Sequence, residues 1–396
     1  MAHETTIVTK KKKQKGRLST VQKVIIAIVL ILYTIILAAV SFWVFYKPSV
    51  SHEVPFDIPE TDKDGNPIKI VDDSGKEVKD KRRKEDSYNF LILGRDANAF
   101  LTDVMMVANL DTSTGSLNVM QVPRDTFVSG NYPTGKLNAV YSTLYHNQLM
   151  GNGNNESDAA KVAREGFTSL IENGLSVKID YTIVMNLSGF KRIVDILGGV
   201  DVDVPFAMTY NDPDQGLYIN IPAGRQHLDG NAAEGFVRYR YGYALADLAR
   251  QDAQKQFMFA LVDKMKSTLK ISEAKRISDV IGAIYDNVET NVTLEKAIYF
   301  AKCLLGVDSG NIKMLTIPGS LPQNGYFVVN RRESIEVINQ YFNVWNFVIT
   351  DQIFDQGRTF NNEYDYLTND AYYSYESTFG GTIYESGSEI SIAPAG

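Results

Sequence analysis

Two short stretches carry aspartates and arginines of the types and spacing that a metal and phosphate site needs. "LILGRDANAFLTD" holds Asp96 and Asp103. Carboxylate oxygens suit Mg2+, which proteins usually hold with one or two carboxylates plus substrate phosphates. Ordinary turn aspartates are the alternative. In "NVMQVPRDTFV", Arg124 and Asp125 follow a predicted strand. An arginine fork can bind phosphate bidentately there, and a structural ion pair is the alternative.

A third stretch, "EGFVRYRYGYALADLARQDAQ", concentrates further cations. If "FVRYR" is extended, Arg238 and Arg240 point to the same face. If the following residues are helical, Asp247, Arg250 and Gln254 lie at i, i+3 and i+7 on one stripe. Such a stripe taken alone is more often a solvated helix face. Combined with the two carboxylates, the arginines predict a metal and pyrophosphate site.

The elements that must position these side chains follow a layered α/β pattern. The runs "YNFLILG", "VMMVANL" and "SLNVMQV" predict strands, the first buried on both faces. Later segments alternate between helix and strand: "LNAVYSTLYHNQLM", "DAAKVAREGFTSLIENG", "YTIVMNL", "SGFKRIVDILGG", "VDVDVP", helices near 247–270, 272–288 and 293–305, "NIKMLTI", and a helix near 332–342. This predicts an α-β-α domain with a central, mostly mixed sheet. Asp96 follows its first strand and Asp103 precedes its second, so both can lie at one edge.

The N-terminal residues predict a membrane anchor. Residues 1–23 carry seven Lys and Arg against one Glu, and 24–46 form an uncharged apolar run that reaches Tyr46. As a helix this run spans about 33 Å, enough to cross the hydrocarbon core. A signal peptide is the alternative, but its apolar region is shorter, about 7 to 15 residues. The positive-inside rule predicts residues 1–23 in the cytoplasm and the rest outside the cell membrane.

The remaining boundaries are predicted from composition. Residues 47–86 are polar and predict an extracytoplasmic stalk with one short hairpin, 87–350 the catalytic domain, and 351–396 a Tyr-, Ser- and Asn-rich tail without order. The total charge is −7 although the first residues are basic, so the exterior part is acidic and binding to nucleic acid is not expected.

Several other chemistries are excluded by missing motifs. The sequence has no nucleotide phosphate loop and no G-x-S-x-G elbow, and its four histidines have no zinc-like spacing. Cys303 is the single cysteine, so an intramolecular disulfide cannot form. A zinc hydrolase or a Ser-His-Asp enzyme is therefore not expected.

These residues and their order give a family resemblance. The chain resembles the LytR-CpsA-Psr family, extracytoplasmic enzymes that attach glycopolymers to peptidoglycan in Gram-positive bacteria. The matching segments are "NFLILGRD", "TDVMMVANLD", "VPRDTFV", "KLNAVYS", "GFKRIVDILGGVDVDVP", "IPAGRQHLDGNAAEGFVRYR", "DLARQDAQ" and "IKMLTIPGSLPQNGYFVV". They keep the family's order and cover most of the part after the anchor. The resemblance implies a layered α/β fold with a groove for a polyprenyl chain.

Residue roles are carried over by motif position. The resemblance implies that Asp96 and Asp103 hold Mg2+. It also implies a pyrophosphate site, formed by Arg124, Lys136, Arg238, Arg240, Arg250 and Gln254. Asp247 would orient the arginines or the metal, and Asp103 could accept a proton, so Arg124, Asp103 and Asp247 are the expected catalytic residues. Asn138 belongs to the same motif as Lys136, and a structural role for it is equally expected.

The implied reaction is transfer of a phosphoryl glycan, such as teichoic acid or capsule, from a polyprenyl-pyrophosphate carrier to peptidoglycan. Two alternatives stay open: a hydrolase of the lipid pyrophosphate, and a binding protein without catalysis. The sequence also departs from the family pattern D-x-G-R-x-x-R-Q, because Ala253 stands where the second arginine is expected. Arg225 or Lys255 could substitute for that cation, the ligand could carry less charge, or the activity could be weaker.

Overall fold

The structure is a computed structural model. It describes residues 46–62, 64–96, 99–151, 155–213, 216–240, 246–270, 273–320, 325–354, 359–360 and 384–385. The chain divides into two units, Met1–Pro48 and Ser49–Gly396, and every helix and strand assigned among the described residues belongs to the second. The predicted membrane helix, 24–46, lies outside the described residues except for Tyr46. Among the described residues, no helix combines the length and apolar character needed to cross a bilayer.

Eight α-helices and thirteen strands are assigned within the described residues. The helices are α1 (Asn138–Gly151), α2 (Glu156–Leu175), α3 (Leu187–Ile196), α4 (Gly230–Arg238), α5 (Ala246–Thr268), α6 (Ala274–Tyr285), α7 (Leu294–Gly306) and α8 (Arg331–Tyr341). The strands are β1 (Ser87–Arg95), β2 (Thr102–Asp111), β3 (Ser116–Gln121), β4 (Tyr181–Asn186), β5 (Val200–Val204), β6 (Met208–Asp212), β7 (Leu217–Ile221), β8 (Gly224–Leu228), β9 (Glu289–Thr290), β10 (Ile312–Thr316), β11 (Gly319–Ser320), β12 (Val328–Val329) and β13 (Tyr384–Glu385).

The main sheet is mixed, as predicted, with the strand order β13-β10-β3-β2-β1-β4-β9. β1 pairs in parallel with β4 and β3 in parallel with β10, whereas β2 runs antiparallel to both β1 and β3. The C-terminal ends of β1, β3, β4 and β10 and the start of β2 therefore meet at one edge. We call this edge of the sheet the upper edge.

The alternation of side chains between the two faces of β1 explains why the domain is layered. Leu91 and Leu93 lie in a core shared with α1 and α2, while Tyr88 and Phe90 lie in a second core with Val262 and Phe300 of the opposite helices. Both sets are buried, which confirms that the first strand is covered on both faces. Helices thus cover both faces of the sheet.

Helix α2 shows how the sequence produces this layering. Asn155 caps it, because its side chain accepts a hydrogen bond from the backbone N–H of Asp158. Ala163, Phe167 and Ile171 recur at four-residue spacing and are fully buried against the sheet. Truncating Phe167 to alanine would cost about 3 to 5 kcal/mol, the usual cost of such a cavity.

The packed region extends beyond the boundaries predicted from composition. Phe56, in the segment predicted as a stalk, is buried in the core that α1 and α2 share. Phe354 and Phe360, in the segment predicted to lack order, are buried in the same core. β13 pairs with β10 through Glu385 opposite Lys313. Aromatic side chains therefore anchor parts of both polar segments.

A smaller region carries two additional two-stranded sheets, of which the sequence patterns predicted only the strand β5, as "VDVDVP". β5 pairs with β8 and β6 with β7, all antiparallel. Their apolar side chains pack against α4 and α5 in a separate cluster that contains Phe236 and Phe257. Through Ala253 and Phe257, this cluster packs α5 against the small sheets.

Candidate active site

A β-bulge places Asp103 at the upper edge. The β1–β2 register passes from Gly94 opposite Val104 to Arg95 opposite Thr102, which leaves Asp103 as the additional residue. Such bulges redirect a side chain out of the regular ladder. Arg124, three residues after β3 ends, donates from Nη1 to Asp103 Oδ1 at 2.9 Å. The structure thus brings together two of the residues that the sequence singles out.

The charges continue through Asp125 and Lys136. Lys136 Nζ donates to Asp125 Oδ1 at 2.9 Å, and the other oxygen of Asp125 lies 3.8 Å from Arg124 Nε. Opposite charges therefore alternate along four partly exposed side chains. The backbone of Asn138 fixes their position, because its N–H donates to the carbonyl of Arg124 and its own carbonyl accepts from Thr102. The backbone at position 138 thus has a structural role, and the role of the Asn138 side chain stays a prediction.

Asp96 organises the loop between β1 and β2. Its carboxylate accepts backbone N–H bonds from Ala99, Phe100 and Leu101. Phe100 has φ of 57°, a left-handed conformation that is strained for a residue other than glycine. The ring stacks on Tyr145 at 4.2 Å, and the Arg95 guanidinium lies 4.1 Å from its centroid. Asp96 therefore holds residues 99–101 close to the edge.

The carboxylates at this edge suit a hard cation. Asp96 follows β1 directly, and Asp103 is a partly exposed residue near the start of β2, at the same edge. Among the described residues there is no group of three or more His, Cys, Asp and Glu arranged to hold a metal. Mg2+ needs no such group, since it keeps waters and takes oxygens from substrate phosphates. The donors present fit Mg2+.

Helix α5 contributes a buried polar face instead of a solvated one. Arg250 and Gln254 are both buried, so the interpretation of this stripe as a solvent face is wrong. Gln121 Nε2 donates to Gln254 Oε1 at 2.8 Å, and Gln254 Nε2 donates to the carbonyl of Val237 at 3.2 Å. Gln254 therefore joins α5 to β3 and to α4.

The structure also shows what surrounds the missing family arginine. Ala253 is completely buried in the apolar cluster with Phe257. Lys255 is only 3% exposed and donates from Nζ to Thr316 Oγ1 at 3.0 Å. Burial lowers the pKa of Lys255, and its ion pair with Asp252 at 2.7 Å opposes that effect. Thr316 is the register partner of Gln121, so Lys255 lies beside the Gln121–Gln254 pair.

Arg225, the other candidate substitute, lies elsewhere. It is exposed on β8, where its register partner is Asp203 of β5. Lys255 contacts Thr316 at the end of β10. Of the two candidate substitutes, Lys255 is therefore the one nearer the predicted site.

Arg238 and Arg240 do not lie on one extended segment, so that expectation is wrong. Asp229 caps α4 by accepting from the N–H of Ala232, and the helix continues through Arg238. Arg238 pairs with Glu234 at 2.7 Å, one turn earlier, and Arg240 is exposed beyond the helix. Asp247 lies in the first turn of α5, and its side chain lies outside the described residues.

Residues that sequence reasoning missed are mainly polar groups beneath the site. Gln121, Thr316 and Thr102 are all buried at the upper edge. A signal for Gln121 was available, because a glutamine near the end of an apolar strand requires a partner when it is buried. Its partner on α5 could not be inferred without the fold.

The fold and this edge together define a class: layered α/β proteins with an aspartate-and-arginine site on a mixed sheet. The chain belongs to the LytR_cpsA_psr family, whose profile matches residues 56–343. It is 29% identical over 248 residues to "Polyisoprenyl-teichoic acid--peptidoglycan teichoic acid transferase TagV" of Bacillus subtilis, covering 60% of this chain and 58% of the relative. The chain thus spans less than two thirds of that relative's length.

Two further similarities support the family. The chain is 31% identical over 262 residues to "Polyisoprenyl-teichoic acid--peptidoglycan teichoic acid transferase TagU" of Bacillus mycoides, covering 64% of this chain and 76% of the relative. The crystal structure of B. subtilis TagV superposes with a TM-score of 0.51 at 28% identity, covering 64% of this chain and 95% of that one. The layered fold expected from the family resemblance is confirmed.

Proposed function

We propose that this protein is a membrane-anchored transferase that moves a glycopolymer from a polyprenyl-pyrophosphate carrier to peptidoglycan. Its family membership and relatives named as teichoic acid transferases support this. The apolar run 24–46, preceded by basic residues, supports a single membrane pass with a cytoplasmic N-terminus. The folded part would then act outside the cell membrane, where peptidoglycan lies.

The observation that carries the proposal is the contact between Asp103, which lies on the bulge of β2, and Arg124, which follows β3. It sets a partly exposed carboxylate and a guanidinium 2.9 Å apart at the upper edge, which Asp96 also reaches because it directly follows β1. A guanidinium can bind the oxygens of a phosphate with two parallel hydrogen bonds. Lys136 adds a second cation close by. An anionic pyrophosphate group matches these charges.

Asp96 and Asp103 are the residues that would hold Mg2+. When bound, the ion would neutralise charge on the phosphate oxygens and polarise them. The loop bonds of Asp96 hold its carboxylate in place before any ligand arrives.

The reaction then needs positioning and charge stabilisation from the chain. A peptidoglycan hydroxyl oxygen forms a bond to the phosphorus nearer the sugar, and the bond from that phosphorus to the oxygen of polyprenyl phosphate breaks. Asp103 takes the hydroxyl proton. Arg124 stabilises the charge that develops on the leaving phosphate. We assign further contacts with the pyrophosphate to Lys136, Arg238, Arg240, Arg250 and Gln254, and the orientation of these groups to Asp247.

The test is product analysis with the full chain in membranes and a polyprenyl-pyrophosphate glycan. With Mg2+ and peptidoglycan, we expect glycan bound to peptidoglycan and release of polyprenyl phosphate in equal amounts. A chelator should reduce both, and added Mg2+ should restore them. Release without attachment, at the same rate with and without peptidoglycan, would indicate a hydrolase instead. Lipid binding with no turnover would indicate a binding protein.

A further inference from the structure

A polar cleft lies between α2 and β9, on the face of the sheet that α1 and α2 cover. Its volume is about 510 Å³. Its lining includes Asn155, Asp158, Lys161, Arg164 and Glu289. Two cations, two carboxylates and an amide thus surround one space. Such a lining matches a ligand rich in hydroxyl, amide and carboxyl groups.

Two of the charged groups that line the cleft, Arg164 and Glu289, are held in fixed positions. Arg164 Nη1 donates to Glu289 Oε1 at 3.0 Å, and the hydroxyl of Tyr141 donates to Glu289 Oε2 at 3.1 Å. Burial raises the pKa of Tyr141, and the charge of Glu289 acts in the same direction, so the hydroxyl remains a donor. Lys161, 60% exposed, lies one turn before Arg164, and its ammonium is 4.0 Å from the exposed carboxylate of Glu165. Groups fixed in this way lose little entropy when a ligand binds.

Strand register places this cleft close to the candidate active site. Glu289 pairs with Val184, which pairs with Leu93, two residues before Arg95. With standard strand dimensions, the Cα atoms of Glu289 and Arg95 are about 12 Å apart. Leu93 and Arg95 share a face of β1, since side chains alternate. That face is the one covered by α1 and α2.

Arg95 connects the two regions. Its guanidinium lies over Phe100 and donates to the carbonyl of Asp96 at 3.3 Å. It also lies close enough to Tyr141 for its positive charge to favour the ionised hydroxyl and oppose the rise in that pKa. Tyr141 in turn contacts Glu289 in the cleft. A chain of polar groups, buried at Tyr141, therefore links Asp96 and Arg95 to Glu289 and Arg164.

We propose that this cleft binds the acceptor: a saccharide strand with carboxylate and amide substituents, whose reacting hydroxyl reaches the upper edge past Arg95. The assignment rests on the proposed transferase function. Lys161 and Arg164 pair with carboxylates of the strand, while Asn155 and Glu289 bond with its amide and hydroxyl groups. The glycan carrier then approaches from the side of Arg124 and α5, so the two substrates enter from different sides.

The test measures binding of soluble disaccharide-peptide fragments of peptidoglycan to the full chain in detergent by calorimetry, without any donor. Lys161→Glu should weaken binding about fivefold, because one favourable charge contact is replaced by a repulsive one. Arg164→Gln should weaken it at least as much, with circular dichroism as a check on folding. Lys275→Glu is the matched control, since Lys275 is also an exposed helical lysine with an i,i+4 acidic partner. It should bind as the unchanged protein does.

A second probe tests the chemistry of recognition. An uncharged N-acetylglucosamine oligomer should bind less tightly than the carboxylate-bearing fragments, and Lys161→Glu should not weaken it. Equal affinity of the Lys161→Glu and Lys275→Glu variants for the fragments would overturn the assignment. Because no donor is present, this result is independent of turnover. The two proposals can also fail separately. If fragment binding depends on Lys161 but the protein transfers nothing to peptidoglycan, the cleft still binds peptidoglycan fragments and the transferase function is refuted.

Discussion

At the scale of single residues, Lys255 is a buried cation whose ionisation should affect stability. Burial lowers its pKa in the folded protein below the ordinary lysine value of 10.5. Between the two values the unfolded chain binds more protons, so this group makes the protein more stable as pH rises through that window. Below the pKa of Lys255 in the folded protein, its ammonium is charged in both the folded and the unfolded state. At such pH the full free-energy cost of burying the charge lowers the stability of the fold.

Lys255→Met should remove this dependence. We expect the free energy of unfolding of the unchanged protein to rise, relative to that of the variant, as the pH is raised towards the ordinary lysine pKa of 10.5. Urea denaturation of both proteins at several pH values measures the difference. A constant difference across the range would contradict the burial of a charged Lys255, and Lys275→Met, at an exposed site, should show no such trend.

Residue types at the upper edge were largely predictable, whereas their partners were not. Asp103 and Arg124 were expected near each other because both lie at strand ends, and they are in contact. The bulge that exposes Asp103 has no sequence signal, since it depends on how the loop after Asp96 closes. Likewise Lys255 follows Ala253 in an ordinary helix pattern, and only the packing of α5 on β10 reveals that its charge is buried.

At the scale of elements, a buried ion pair joins the segment before β1 to the sheet. Arg83 donates through both terminal nitrogens to Asp180 at 2.6 Å, and the two side chains are 0% and 7% exposed. Asp180 also accepts from the N–H of Asn89 in β1. This pair fixes the entry of the chain into its first strand.

Arg83→Ala should destabilise the fold by about 3 to 5 kcal/mol, because it leaves the Asp180 carboxylate buried without its cation. Arg82 is the matched control: it forms an ion pair with Asp80 at 2.9 Å, but the two side chains are 75% and 73% exposed. Arg82→Ala should cost less than about 0.5 kcal/mol. Urea denaturation of the two variants measures both values, and similar losses would show that the burial of Arg83 is not what matters.

Secondary structure was predictable where a single periodicity of apolar residues dominates the segment. The helix expected near 247–270 is observed at Ala246–Thr268, and the first strand is at Ser87–Arg95. The pattern of "FVRYR" did not distinguish helix from strand. The structure shows that α4, which begins after its N-cap Asp229, continues through Arg238 and so includes the first three of these residues. In the small sheets, β5 was predicted because "VDVDVP" alternates strictly between valine and aspartate, whereas β6, β7 and β8, each five residues long and partly exposed, were missed.

At the scale of the whole molecule, the proposed topology separates a basic head from an acidic exterior. Cys303 is the only cysteine, so a Cys303→Ser background permits labelling at chosen sites. A cysteine placed at Lys275 should react with a membrane-impermeant maleimide on intact cells. One placed at Lys12 should react only after the cells are permeabilised. The reverse pattern would contradict the orientation, and labelling of both on intact cells would contradict the membrane anchor.

The central claim is that the upper edge transfers a glycan to peptidoglycan. The most direct measurement is attachment of a labelled polyprenyl-pyrophosphate glycan to peptidoglycan by the full chain with Mg2+. Arg124→Ala and Arg250→Ala should each reduce the rate by about 100-fold or more, as expected when a group that stabilises developing charge is lost. Arg332→Ala, which removes an exposed arginine on α8, should leave it unchanged. Equal rates in all four proteins would contradict a transfer site at the upper edge.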